Sequence, residues 1–211
     1  MKGVCLLLSA ICLVRGEIID RIAVSVGNQV ITEGQIDQEI RLTAFLNHEK
    51  LNLSLDQRKK ATGRLIEQAL VKRDMDLSRY PVPPQSDVDA SLHDLKLTYA
   101  PESLYQQTLQ EYGIAEDALM RRLFWQLTLL RFVDYRFRPG IQIPDADVKT
   151  YYDQQLASWK QQGIEPLPAL EDSRAKIEEI LTQQRIDQAL DAWIAETRRQ
   201  VTINYLDEAL K

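Results

Sequence analysis

Cysteine, histidine and glycine are all scarce in this 211-residue chain, and each shortage removes a class of chemistry. Both cysteines, Cys5 and Cys12, fall in the opening segment MKGVCLLLSAICLVRG, so everything after it lacks a thiol for a disulfide, a metal or a nucleophile. His48 and His93 are the only histidines. His48-Glu49 has no second histidine at the spacing of a zinc-binding helix, and both histidines read as surface or helix-face residues. No two of the eight glycines lie closer than seven positions, which excludes G-x-G-x-x-G and G-x-x-x-x-G-K, the standard loops for cradling a nucleotide phosphate. No serine sits in G-x-S-x-G, and carboxylates such as Asp145 and Asp147, or Glu178 and Glu179, read as helix-start charges and solvated faces. A basic excess is missing as well. Lys and Arg number 26 against 31 Asp and Glu, a net charge of −5, which gives no electrostatic reason to bind nucleic acid. The expectation is a protein that is not an enzyme and needs no cofactor or metal.

What is present describes a folding chain. Hydrophobic residues are 45% and charged residues 27% of the total, and the length suits one large domain or two small ones. Residues 1–16 read as a signal peptide: Lys2 supplies the positive start, Gly3 to Val14 form an apolar run too short to span a bilayer, and Val14-Arg15-Gly16 offers a cleavage site. An uncleaved membrane anchor is the other reading of the same run. Cleavage after Gly16 leaves residues 17–211, free of cysteine and more acidic through the loss of Lys2 and Arg15, without stable membrane insertion. Export to an oxidising compartment, the periplasm, is the expected localisation.

Along the remaining chain, Ile22 to Val26, Gly27-Asn28 and Gln29 to Ile31 read as a small hairpin. Thr32-Glu33-Gly34-Gln35 has capping-box spacing ahead of a helix carrying Ile36, Ile40 and Ala44 and ending near Asn47. Ser54 to Gln57 repeats the signature before a helix to about Leu77, stopped by Pro81-Val82-Pro83-Pro84. Further helices are expected from Ser86, from Pro101 to Gly113, from Ala115 to Pro139-Gly140, and from Asp145 through Tyr151, Tyr152 and Leu156. The helix after Ala115 carries Leu119, Met120, Leu123, Phe124, Leu127, Leu130 and Val133, with Trp125, Leu129 and Phe132 widening the stripe beyond one contact face. Residues 160–170, with one glycine and two prolines, form a linker. A final helix spans about Ser173 to Arg199, with Ile177, Ile180, Leu181, Gln184, Leu190, Trp193, Ile194 and Thr197 on one side. Val201 to Leu206 alternates as a strand, which should join the first hairpin in one small antiparallel sheet because two strands alone are marginal in water. The fold class is mainly α with a small antiparallel β-sheet.

The segment Ile18 to Thr32, IIDRIAVSVGNQVIT, resembles the mature start of the SurA-type periplasmic chaperone and prolyl-isomerase family, in which such a hairpin leads into the first helix. Arg64-Leu65-Ile66-Glu67-Gln68-Ala69-Leu70 is similar to that family's L-I-x-x-x-L helix, and Ile143-Pro144-Asp145-Ala146-Asp147-Val148 with Tyr151-Tyr152 resembles its I-t-d-e-e-v-x-x-Y-Y segment. The turn here is Gly27-Asn28, where the family has the order Asn-Gly. The resemblance implies a SurA N-terminal-like chaperone module over residues 17–211, related in build to the chaperone domain of trigger factor. The family's parvulin isomerase domain is usually inserted after the Tyr-Tyr helix, where this chain has only the 160–170 linker, too short for a domain. Neither I-x-x-H-I-L nor G-D-L-G occurs. The resemblance therefore implies ATP-independent chaperoning of unfolded or nascent exported polypeptides, outer-membrane proteins among them, without isomerase activity.

Such a chaperone needs an apolar, aromatic groove, and the aromatics beyond or at the margins of the helix stripes are its candidates: Tyr99, Tyr105, Tyr112, Trp125, Phe132 and Trp159. Ordinary core residence is the competing reading for each. Met75 and Met120 are too few for a methionine-rich groove. A structural adapter or homodimer, with the same surface covered by a fixed partner, is the alternative function; an active isomerase would require the missing domain.

Overall fold

The chain is described by a computed structural model at residues 20–163 and 165–211, so the signal-peptide reading of residues 1–16, with Cys5 and Cys12, lies outside the described residues. The hairpin forms as β1 (Ile22–Val26) and β2 (Gln29–Thr32), joined by the two-residue turn. Gly27 has φ 58°, the positive value that a type II′ hairpin turn requires at its first central residue. Thr32 then caps α1 (Glu33–Leu46) in a complete capping box: its side chain accepts from the Gln35 N–H, and the Gln35 side chain accepts from the Thr32 N–H. Asp20 adds a carboxylate at the same helix start, accepting from the Gly34 N–H at 2.9 Å. A Cβ at Gly34 would lie 2.7 Å from that carboxylate, so glycine permits the approach.

Six more helices follow among the described residues: α2 (Leu55–Leu77), α3 (Gln85–Leu97), α4 (Glu102–Tyr112), α5 (Glu116–Phe137), α6 (Asp145–Gln161) and α7 (Leu170–Gln200). Pro84, Pro101 and Pro144 each occupy the N-cap with extended ψ, one residue outside the helix. Helix α3 consequently starts at Gln85, one residue before Ser86. Gly113 closes α4 in the left-handed region at φ 63°. Helix α7 starts three residues before Ser173, with Glu171 and Asp172 in its first turn, and the loop between α6 and α7 is 162–169.

The last strand, β3 (Ile203–Tyr205), pairs antiparallel with β1, giving a three-stranded sheet of order β2-β1-β3 that brings the two ends of the described chain together. The architecture is thus mainly α with a small antiparallel sheet. Two apolar clusters fill it. One joins the sheet to α1 and α2 through Val24, Val26, Ile31, Ile36, Ile66 and Leu70, and receives Val201 and Leu210 from the end of the chain. The other joins the end of α1 to α3, α4 and α5 around Phe45, Val88, Tyr99, Tyr105, Leu119 and Leu123.

Candidate functional site

Between the two clusters lies an open groove of about 800 Å³, within the range of ligand-binding clefts. Its walls come from β2 (Gln29, Val30, Ile31), α2 (Leu65, Ala69, Lys72) and α5 (Met120, Phe124, Trp125), over a floor supplied by α1. Phe124 is 38% and Val30 50% exposed, so both present apolar surface to solvent. The Lys72 ammonium lies over the Trp125 ring, 5.2 Å from its centroid, a cation–π contact that holds the indole at the groove wall. Burial lowers the Lys72 pKa, with the nearby Asp76 carboxylate opposing the shift, and Lys72 forms no ion pair among the described residues.

The floor is polar. Glu39 is only 5% exposed and accepts from Arg64 Nε at 2.9 Å and Thr43 Oγ1 at 3.2 Å, with Arg122 Nη2 at 3.5 Å. At the rim Asp117 and Arg121 pair with each other at 2.6 Å. The groove is therefore apolar along its walls, with its acids already matched and Lys72 the groove cation without an ion pair among the described residues.

Of the six aromatic candidates, only Trp125 lines this groove. Tyr105 and Phe132 are fully buried and Tyr99 is 6% exposed, so these three are core and present almost no surface to a ligand. Tyr99 stacks on Phe45 at 4.8 Å between centroids, and its hydroxyl donates to the Phe45 carbonyl at 2.7 Å. Tyr105 donates to Glu116 at 3.0 Å beneath the Lys96 ammonium, and burial, with the Glu116 carboxylate, pushes its phenol far above the ordinary value. Phe132 packs among Tyr80, Phe137 and Trp193. The reason is that α5 has two sets of neighbours: Leu119 and Leu123 face the α3–α4 side, while Phe132 faces Trp193 of α7. A stripe wider than one contact face serves two contacts here, and only part of it is left for solvent.

Tyr112 is half-buried and acts as a clamp. Its hydroxyl donates to the Glu49 carbonyl at 2.7 Å, its ring meets Phe45 edge-on, and its carbonyl accepts from Arg41 at 2.8 Å. Trp159 is half-buried beside Tyr152 on α6, away from the groove-lining residues. Phe124, Val30 and Lys72 are groove residues that the sequence reading did not single out. By spacing Phe124 belongs to the packed stripe, although its adjacency to Trp125 places two large rings on neighbouring faces of one helix.

Among the described residues no cluster of His, Cys, Asp and Glu is arranged to hold a metal ion, and no helix is long and apolar enough to cross a membrane. Compared with known proteins, the chain matches no family model and no curated protein.

Proposed function

We propose that this protein is an ATP-independent chaperone that holds unfolded exported polypeptides, outer-membrane proteins among them, in the groove between β2, α2 and α5. The observation that carries the reading is the open apolar wall of Val30, Met120, Phe124 and Trp125 on a chain otherwise packed around two cores. Contiguous exposed apolar surface of this kind marks a binding site, and its shallow form suits clients that share hydrophobicity but no sequence. The resemblance to SurA-type chaperones supports the same reading, as does the export signal read in residues 1–16.

Holding and release demand modest affinity. Each partly buried ring contributes about 1–2 kcal/mol, and a micromolar complex needs only about 8 kcal/mol net. A few aromatic contacts with some backbone pairing reach that range. The test is light scattering of a urea-unfolded outer-membrane protein diluted into buffer. A few-fold molar excess of this protein delays aggregation without ATP, and the Trp125→Ala, Phe124→Ala double variant loses most of the delay while keeping the wild-type circular dichroism. Full protection by the double variant would remove the groove from the function.

A further inference from the structure

Side chains alternate between the faces of a strand, so a cavity touching one face of β2 would meet every second residue. Gln29, Val30 and Ile31 are consecutive, yet all three line the groove, which therefore runs along the edge of the strand. Among the described residues that edge is unpaired: the sheet order is β2-β1-β3, with no described strand on the outer side of β2.

The hairpin register identifies which backbone groups face outward. Val26 opposite Gln29 closes the two-residue turn, a hydrogen-bonded position, so the next pair, Ser25 opposite Val30, is non-hydrogen-bonded. Neighbouring contacts agree with this alternation. The Glu33 N–H donates inward to the Arg21 carbonyl at 2.8 Å, whereas the Thr32 N–H turns away and donates to the Gln35 side chain at 2.9 Å. On β1 and in the turn after it, Ala23 and Gly27 direct backbone groups to the β3 side: the Ala23 carbonyl accepts from the Leu206 N–H, and the Gly27 N–H donates to the Thr202 carbonyl. By this register Val30 points both its N–H and its C=O out of the sheet, and neither makes a turn, loop or cap bond among the described residues. The strand QVIT is short, and its pairing with β1 shifts register between Ile22 and Val24, but it carries no lysine or proline to block an added strand at Val30.

Resting on the chaperone reading above, we infer that the groove takes its client as an extended strand, paired through the free N–H and C=O of Val30, with apolar side chains against Phe124 and Trp125 and a client carboxylate on Lys72. Backbone pairing selects an extended chain, because a helix has already used its own N–H and C=O groups. The charge follows from the lining. Glu39 is matched by Arg64 and Arg122, Asp117 by Arg121, and Lys72 is left without an ion pair among the described residues, so an acidic residue on the client complements the site. Backbone recognition also explains how one groove accepts many sequences, since every residue except proline offers the same donor and acceptor.

The test is fluorescence-polarisation titration of a labelled ten-residue peptide alternating valine and threonine, with one phenylalanine and one glutamate. Val30→Pro removes the outward N–H at an edge position where the β1–β2 ladder does not use it, and weakens binding about tenfold; Val30→Thr keeps both the N–H and the branched shape and loses much less. Replacing the peptide glutamate by glutamine weakens binding about threefold, and Lys72→Gln erases that difference. Amide hydrogen exchange of the unsubstituted protein gives a reading independent of variant stability, with Val30 becoming protected only when the peptide is present.

Equal binding by a folded Val30→Pro variant, or an unprotected Val30 amide at saturating peptide, overturns the strand-pairing inference. If Trp125→Ala still abolishes protection of the unfolded client in that case, the chaperone reading stands without it. A Val30 amide already protected without peptide, in a protein that sediments as a dimer, assigns the edge to a second copy and likewise overturns the inference. A wild-type protein that neither binds the peptide nor delays aggregation removes both.

Discussion

Tyr105→Ala separates core from groove. The ring is fully buried, with Phe45 and Tyr99 at centroid distances of 6.3 and 6.2 Å, and the Lys96 ammonium 4.9 Å from its own centroid. Truncating a buried aromatic to alanine costs about 3–5 kcal/mol through lost transfer energy and the cavity left behind. The hydroxyl adds a bond to the Glu116 carboxylate at 3.0 Å, and because that carboxylate is 38% exposed the bond contributes about 1 kcal/mol. Tyr105→Ala is therefore expected to lower the unfolding free energy by about 4 kcal/mol and Tyr105→Phe by about 1 kcal/mol. For a protein of this length the alanine variant should melt roughly 8–16 °C lower. Urea unfolding followed by circular dichroism, with an unchanged denaturant slope, measures both. A loss below about 1.5 kcal/mol for Tyr105→Ala, or equal losses for the two variants, would refute the packing described for this ring.

Trp125→Ala should behave in the opposite way, leaving the melting temperature within a few degrees while reducing protection of an aggregating client, as scattering and calorimetry on one preparation will show. Removing residues 201–211 deletes β3 together with the buried Val201 and Leu210, at about 1.5–3 kcal/mol for each buried side chain, and should lower the melting temperature by about 10 °C. Glu116 is held below the ordinary carboxylate value, first by the hydrogen bond from Lys96 and then by that from Tyr105, against the opposing effect of burial. Its contribution is complete above the unfolded value of about 4.3 and is lost as pH falls through the folded value, so Glu116→Gln should flatten the acid limb of a stability-against-pH curve below about pH 4.5. An acid limb identical to wild type would show that the Lys96–Glu116–Tyr105 cluster contributes nothing there.

Features whose causes lie within a few residues of chain were legible in the sequence. The capping box at Thr32 and Gln35, the turn at Gly27-Asn28 and the stop at Gly113 each depend on local backbone geometry, and each is found where the residue types placed it. Even so, Ser54 has the N-cap position without the side-chain bond, and its N–H donates to the Asn52 side chain, the bond that a Gln57 side chain would accept in a capping box. Ile186 is fully buried on α7, although the apolar side read for that helix passed through Gln184 instead. A helix of 31 residues meets different neighbours along its length, so a single stripe does not describe its contacts. The same limit governs the site. Whether Phe124 or Phe132 faces solvent depends on where α7 and β2 come to rest, and the placing of Lys72 over Trp125 joins residues from α2 and α5. Neither has a signature in local spacing.

The groove stays open because its floor cannot be squeezed dry. Two apolar clusters on either side of a shallow cleft would gain free energy by merging, at about 25 cal/mol for each Å² of apolar surface withdrawn from water. Between them stand Glu39, Arg64, Thr43 and Arg122, tied by bonds of 2.9, 3.2 and 3.5 Å to one carboxylate. Collapse would strip the remaining water from two guanidinium groups, one of them 37% and the other 18% exposed, with a single carboxylate between them. The desolvation penalty for buried ions is several kcal/mol each and grows as water is excluded, so it opposes closure most strongly where the clusters approach most closely. A buried ionic group of this kind adds little net stability, since an apolar replacement would pack at least as well. Its effect is on shape: α1 and α5 are held at a separation that leaves Phe124, Trp125 and the edge of β2 facing the same space.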